Sequence, residues 1–331
     1  MARIYRISGS TQYLINGTWP VQGKKLTSLE EIQHFYNNHE GILAETKTTI
    51  AREYDEIILG LGDDEVRLDR QLQDNIARTT TDVDAVIHEL ERKSMHEPGL
   101  FSRTGCRVRY WIAVALRNRH IHNPHSGMAN ELDRVRNRKR QQMITKESHI
   151  QRECNNIIHS YEFLKENETF LIGAQGEEAV IEALAHLPDE YHILNDVNLR
   201  FSRAIHWSKA NEYIKTCQID HIVAGPTGIF LLETKNWNPS KIEQDSEKLL
   251  HQVQRAGLAL WYYTKDYYGK KDRPKIWNVV VSLNGSPAGR KLNKYTDVIT
   301  PYQLCRHIMN RDKTLPDGEV DKFVKIILRA R

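Results

Sequence analysis

The run Gln218-Ile-Asp-His-Ile-Val-Ala-Gly-Pro-Thr-Gly-Ile-Phe-Leu-Leu-Glu-Thr-Lys235 sets two carboxylates and an amine inside an apolar stretch. His221 to Ala224 and Ile229 to Leu232 have the composition of strands, and Gly225-Pro-Thr-Gly228 between them is a turn cluster. With Ala224 opposite Ile229 across a four-residue loop, Asp220 falls opposite Glu233. Directly opposite residues share a sheet face, with Cβ atoms about 4.5–5.5 Å apart. Lys235 lies two residues beyond Glu233 and Gln218 two before Asp220, so the strand period returns both to that face. His221 points to the other face and reads as structural. Two carboxylates and an ammonium are costly to bury unless they are paired or bind a metal. Oxygen donors without Cys or His on the same face favour Mg²⁺ or Mn²⁺ over Zn²⁺. Such an ion can orient a water, polarise a phosphoryl oxygen and stabilise a leaving oxygen, which is what phosphodiester hydrolysis needs. Lys235 beside them would act as a fixed cation for the developing charge.

This arrangement resembles the PD-(D/E)xK nuclease superfamily and, within it, the NERD (nuclease-related domain) family. Three motifs carry the resemblance in order: Gly173-Ala-Gln-Gly176-Glu177, Gln218-Ile-Asp220-His221, and Glu233-Thr-Lys235-Asn236-Trp237. It covers residues 170–330. The resemblance implies an α/β fold of restriction-endonuclease type, a mixed central sheet flanked by helices, and a Mg²⁺- or Mn²⁺-dependent deoxyribonuclease. It implies Asp220, Glu233 and the main-chain carbonyl of Thr234 as metal ligands and Lys235 as the catalytic cation. Glu177 resembles the family's additional acidic residue. A glutamine after the hairpin, best matched by Gln252 with Gln254 as the alternative register, would orient a phosphate or water. DNA processing, or defence against invading DNA, is the role the resemblance implies. Taken alone, Glu-x-Lys on a strand is ordinarily a solvated face, and Gly176-Glu177 is a helix start with favourable charge. The rival expectation is therefore a non-catalytic DNA-binding or coiled-coil scaffolding protein that keeps the nuclease fold.

The remaining pattern shows what must position these residues. Residues 1–25 hold two short apolar runs around Ser-Gly-Ser and read as a small hairpin segment. From residue 26 to 169 helical periodicity dominates, opened by Thr27-Ser-Leu-Glu-Glu. Leu72, Ile76, Thr79, Val83, Val86 and Leu90 form one heptad seam, and Met143, Glu147, Ile150, Cys154, Ile157, Tyr161 and Leu164 a second. Turn-rich stretches at 59–64, 96–99 and 123–127 are expected to break these helices into a coiled-coil hairpin or bundle, fit for a homo-oligomer or protein partner. Residues 170–331 change character. A helix is expected over 176–187 and a strand over 191–199, followed by the hairpin. A helix over 243–265, a strand over 275–283, a short strand at 298–300, a helix opened by Pro301 and a closing helix over 320–329 complete the domain.

Composition bounds the rest. The 331 residues are 40% hydrophobic and 27% charged, with four dispersed cysteines and no CxxC pair; a reducing, cytoplasmic setting is expected. The longest apolar run, Trp111 to Leu116, is far too short to span a bilayer, so no membrane is expected. Net charge is +4, but ten Lys/Arg against Glu131 and Asp133 put 103–140 at +8 and leave the remainder at −4. Such a concentration suits DNA phosphates, with Arg134, Arg136, Arg138, Lys139 and Arg140 as candidate contacts against the plainer reading of a solvated helix face. Arg107-Val-Arg109-Tyr-Trp111 interleaves cations and aromatics. Lys270, Lys271 and Arg273, near four tyrosines, are a second candidate contact. His120, His122 and His125 lack Cys or carboxylate partners and read as ordinary loop histidines rather than a zinc site.

Overall fold

The computed structural model describes residues 1–96, 98–237, 239–268, 273–284 and 291–330. In chain order the helices are α1 (Gly9–Gly17), α2 (Leu29–His96), α3 (Leu100–His122), α4 (Ser126–Glu166), α5 (Glu168–Ala185), α6 (Pro239–Gln244), α7 (Ser246–Thr264), α8 (Pro301–Met309) and α9 (Asp317–Leu328). The strands are β1 (Arg3–Tyr5), β2 (His192–Trp207), β3 (Glu212–Gly225), β4 (Gly228–Lys235), β5 (Ile276–Ser282), β6 (Lys291–Asn293) and β7 (Thr296–Ile299). Two units divide them: Met1–His39 with Ile158–Arg331, and Glu40–Ile157.

The first unit is α/β. Its seven-stranded sheet has the order β1-β2-β3-β4-β5-β7-β6. The neighbours β2, β3 and β4 run antiparallel, whereas β4, β5 and β7 are parallel, as the mixed-sheet expectation required. Ile229 to Leu232 is fully buried, the signature of a strand covered on both faces. Its residues alternate between two layers. Ile229 and Leu231 join Ile222 and Ala224 under Leu249, Val253 and Ala256 of α7. Phe230 and Leu232 join Val223 and Val279 under Val180 and Leu184 of α5. Ala224 pairs with Ile229, and Gly225 with Gly228, so the loop itself is Pro226-Thr227. Gly228 has φ 124°, a backbone state open mainly to glycine.

Residues 1–25 do not form a hairpin. Arg3–Tyr5 instead joins the edge of the sheet, parallel to β2. Residues 9–17 are helical, capped by Ser8, whose side chain accepts the Thr11 N–H, with Leu14 and Ile15 buried. A run as short as Tyr13-Leu-Ile fits either period, so local pattern could not separate helix from strand. Helix α5 begins at Glu168, well before the expected start, placing Gly176 and Glu177 inside it. A Cβ on Gly176 would lie 2.6 Å from Leu283 Cδ1 and 3.5 Å from Thr234 Cγ2, so this glycine lets α5 approach the end of β4. The single helix expected over 243–265 is broken at Asp245 into α6 and α7.

In the second unit, α2 runs antiparallel to α3 and α4. Asp84 meets Arg117, Thr79 meets His125, Glu65 meets Arg136 and Asp55 meets Lys146. The coiled-coil expectation agrees with this hairpin, but two expected breaks do not occur. Helix α2 continues unbroken through Gly60-Leu-Gly62. Each glycine costs about 1 kcal/mol in a helix, and buried seam residues on both sides, Ile50 and Leu72, hold the helix across them. At Asn123–His125 the chain makes one 3-10 turn with Pro near its start and passes into α4; proline is tolerated in a first turn. Among the described residues, no helix is long and apolar enough to cross a membrane.

Candidate functional site

The β3–β4 ladder runs from Gly225↔Gly228 to His221↔Leu232, and one more step outward sets Asp220 against Glu233. The strands are tied there by a side chain: Asp220 Oδ2 accepts the Thr234 N–H at 2.9 Å. The Glu233 side chain is only 3% exposed. Its Oε1 accepts Lys235 Nζ at 2.6 Å and Gln252 Nε2 at 2.5 Å. Helix α7 supplies Gln252 because its apolar stripe packs on the same layer as Ile229 and Leu231. Gln254 lies elsewhere, accepting from Lys209 Nζ at 3.1 Å. The site glutamine is thus Gln252, and the alternative register is not used.

Burial raises the Asp220 carboxyl well above the usual range, with the charges of Glu233 and Glu177 adding to it; the Thr234 amide and Lys235 oppose the shift. Glu233 is also raised, mainly by burial and further by Glu177, while Lys235 and Gln252 pull it down. Three carboxylates thus bear on one ammonium in a region poor in water. That excess of negative charge on oxygen-only donors fits a hard divalent cation. Among the described residues, no group of three or more His, Cys, Asp or Glu side chains is gathered as a metal cluster. Asp220 and Glu233, with the Thr234 carbonyl, are the residues that would hold such an ion.

Glu177 is held by a residue that no sequence motif marks. Ser10 Oγ donates to Glu177 Oε1 at 2.6 Å, and the Ser10 N–H to Oε2 at 3.3 Å. The two lie 167 positions apart in sequence, and only the docking of α1 beside α5 joins them. Losing the partner of a ligand-orienting group typically costs 10–100-fold in metal affinity. Ser10→Ala is accordingly expected to weaken Mn²⁺ binding about tenfold by calorimetry, with Ser10→Thr retaining most of it.

Other expected residues fall differently. Gln218 donates to Asp196 Oδ1 at 2.8 Å rather than supporting Asp220. His221 is fully buried on the opposite layer, with Nδ1 2.9 Å from Asn195 Oδ1; burial lowers it to about 3, so it is neutral and structural. The basic stretch is not one free face. Arg136 and Lys139 are engaged by Glu65, whereas Arg134, Arg138 and Arg140 are exposed. Arg273 stacks on Trp261 at 4.7 Å, while Lys270 and Lys271 lie outside the described residues. His125 bonds Thr79, and the three histidines sit in helix and 3-10 turn rather than a loop.

A mixed sheet whose antiparallel hairpin presents an aspartate against a Glu-x-Lys strand end is consistent with the PD-(D/E)xK fold class. Within it, residues 172–281 match the family model of the nuclease-related domain, NERD, a segment that contains Glu177, Asp220, Glu233, Lys235 and Gln252. An uncharacterized protein of Bacillus anthracis is 39% identical over 66 residues, which are 20% of this chain and 26% of that protein. The chain therefore spans about a quarter of the length of that relative. No solved structure matches the chain.

Proposed function

We propose that the C-terminal half hydrolyses phosphodiester bonds in DNA with the help of Mg²⁺ or Mn²⁺. The observation that carries this reading is the pairing of Asp220 with Glu233 at the end of a buried hairpin, with Lys235 and Gln252 both on Glu233. A divalent ion bound there would supply charge for the scissile phosphate and lower the pKa of a water nucleophile. The chain's own residues do the rest. Asp220 is fixed by the Thr234 amide, which presets its carboxylate before any ion arrives. Gln252 orients Glu233 and holds it against rotation. Lys235, 18% exposed at its side chain, is the positive group that a phosphate would meet at the site and the one suited to the developing negative charge. Glu177, anchored by Ser10, adds a third negative charge at the rim. The exposed Arg134, Arg138 and Arg140 of α4 are proposed phosphate contacts. A role in DNA processing or in defence against invading DNA fits this chemistry.

Cleavage of supercoiled, linear and single-stranded DNA tests the proposal. Cutting with Mg²⁺ or Mn²⁺ that EDTA abolishes is the expected result. Absence of cutting on all three substrates with either ion would refute it in favour of a non-catalytic DNA-binding protein.

A further inference from the structure

The unit Glu40–Ile157 leaves more large apolar residues outside than inside. Among its described residues six hydrophobic side chains are buried, including Ile50, Leu72, Leu132 and Ile157, while thirteen large ones are exposed. Isolated exposed apolar residues need no explanation, but contiguous ones mark an interface. Here they have a pattern. At 100° per residue, Leu59, Val66 and Met95 fall within about 20° of one another on α2, and they are 69%, 62% and 61% exposed. On α3 the residues facing α2 are Tyr110, Arg117 and Ile121, whereas Phe101, Val108, Trp111 and Ile112 point away and are exposed. Met95 and Trp111 line one cavity of about 540 Å³ with Arg107 and Thr104, so the two helices share this flank at the end of the hairpin.

Charge indicates what covers it. Along α2, residues 40–96 carry 14 Asp/Glu against 7 Lys/Arg; along α3 and α4, residues 100–157 carry 12 Lys/Arg against 4 Asp/Glu. One arm is therefore −7 and the other +8. A nucleic acid on the shared flank would meet the acidic arm as well as the basic one and be repelled by half of the surface. A second copy of the same hairpin is complementary to both. Of the two face-to-face arrangements, a two-fold axis along the hairpin sets each acidic arm on the partner's basic arm. An axis across the hairpin stacks like on like, which electrostatics disfavours.

We propose that this flank joins two copies of the chain in a four-helix bundle whose two-fold axis runs along the hairpins, with both tips at the same end. The interface is isologous, so each patch meets its own equivalent. Nothing in it depends on whether the C-terminal half cuts DNA.

Sedimentation equilibrium of the full chain is expected to give twice the 38.6 kDa chain mass at about 50 µM, a concentration that populates a micromolar dimer. The double variant Leu59→Glu/Trp111→Glu should give the single-chain mass with unchanged far-ultraviolet helicity, since both side chains are exposed in the single chain. A wild-type monomer at that concentration overturns the proposal, as does a dimer that survives the double variant or a monomer that assembles only on added duplex DNA. Nitroxides at Phe101→Cys, in a Cys106→Ser background, then read the arrangement. The expected distance between tips is under about 40 Å, against about 85 Å of arm length for copies lying head to tail. The longer distance would overturn the axis assignment.

Discussion

Asp220→Asn is expected to reduce metal-dependent cleavage by at least about a thousandfold, equivalent to ~4 kcal/mol of transition-state stabilisation, while making the metal-free protein more stable. The two effects share one cause. Asp220 is buried opposite Glu233 with Glu177 bearing on both, and its carboxyl is raised because its charge is poorly accommodated. An amide oxygen can still accept the Thr234 N–H, so the tie between the strands at 2.9 Å is kept while the charge is removed. Relief of a like-charge contact in a buried setting is worth on the order of 1–2 kcal/mol, a rise of several degrees in Tm. A structural carboxylate would behave oppositely, losing stability with its charge. Cleavage assays beside thermal unfolding separate the cases: an inactive variant that melts lower than wild type would sink the assignment of Asp220 as a ligand.

The second large effect is a coupling of stability to pH and to metal. Asp220 and Glu233 both titrate higher in the fold than their ordinary values of 3.8 and 4.5. Raised carboxyls bind protons more tightly in the folded state, so their contribution is fully present below those ordinary values and is lost as pH rises through the folded ones. His221 works in the other direction. Burial lowers it from 6.5 to about 3, so its contribution is present above 6.5 and fades as pH falls toward the folded value. Comparing wild type with Asp220→Asn cancels the histidine, which both retain. Without metal, the wild type should lose stability relative to the variant as pH rises from about 4 to 8, the window set by raised carboxyls. Saturating Mn²⁺ should reverse the order, since a ligand at 100 times its Kd adds about 2.7 kcal/mol to the state that binds it. Calorimetric melts across pH, with Mn²⁺ or EDTA, read this directly; parallel curves for the two proteins would show that Asp220 feels neither burial nor metal.

The sequence by itself determined the hairpin and what it carries. Alternating burial along Ile229 to Leu232, with a Gly-Pro-Thr-Gly turn, sets the register through contacts only a few residues apart, and the register alone brings Asp220, Glu233 and Lys235 to one face. Strand period and turn chemistry are local, so they can be read without knowing the rest of the chain. The heptad seams were legible for the same reason. Tertiary structure decided what local pattern leaves open. Residues 1–17 became an edge strand and a helix because β2 offered an open edge and α5 an apolar side, neither of which is visible from the segment itself. Helix α2 passes through Gly60 and Gly62 because seam packing outweighs the intrinsic cost of two glycines. The choice between Gln252 and Gln254 followed from the face α7 turns to the sheet. Ser10 reached Glu177 only because α1 docks beside α5. Local rules fix which groups a strand presents, but the partners of those groups come from chain segments brought together by packing, and packing free energy is a property of the whole fold.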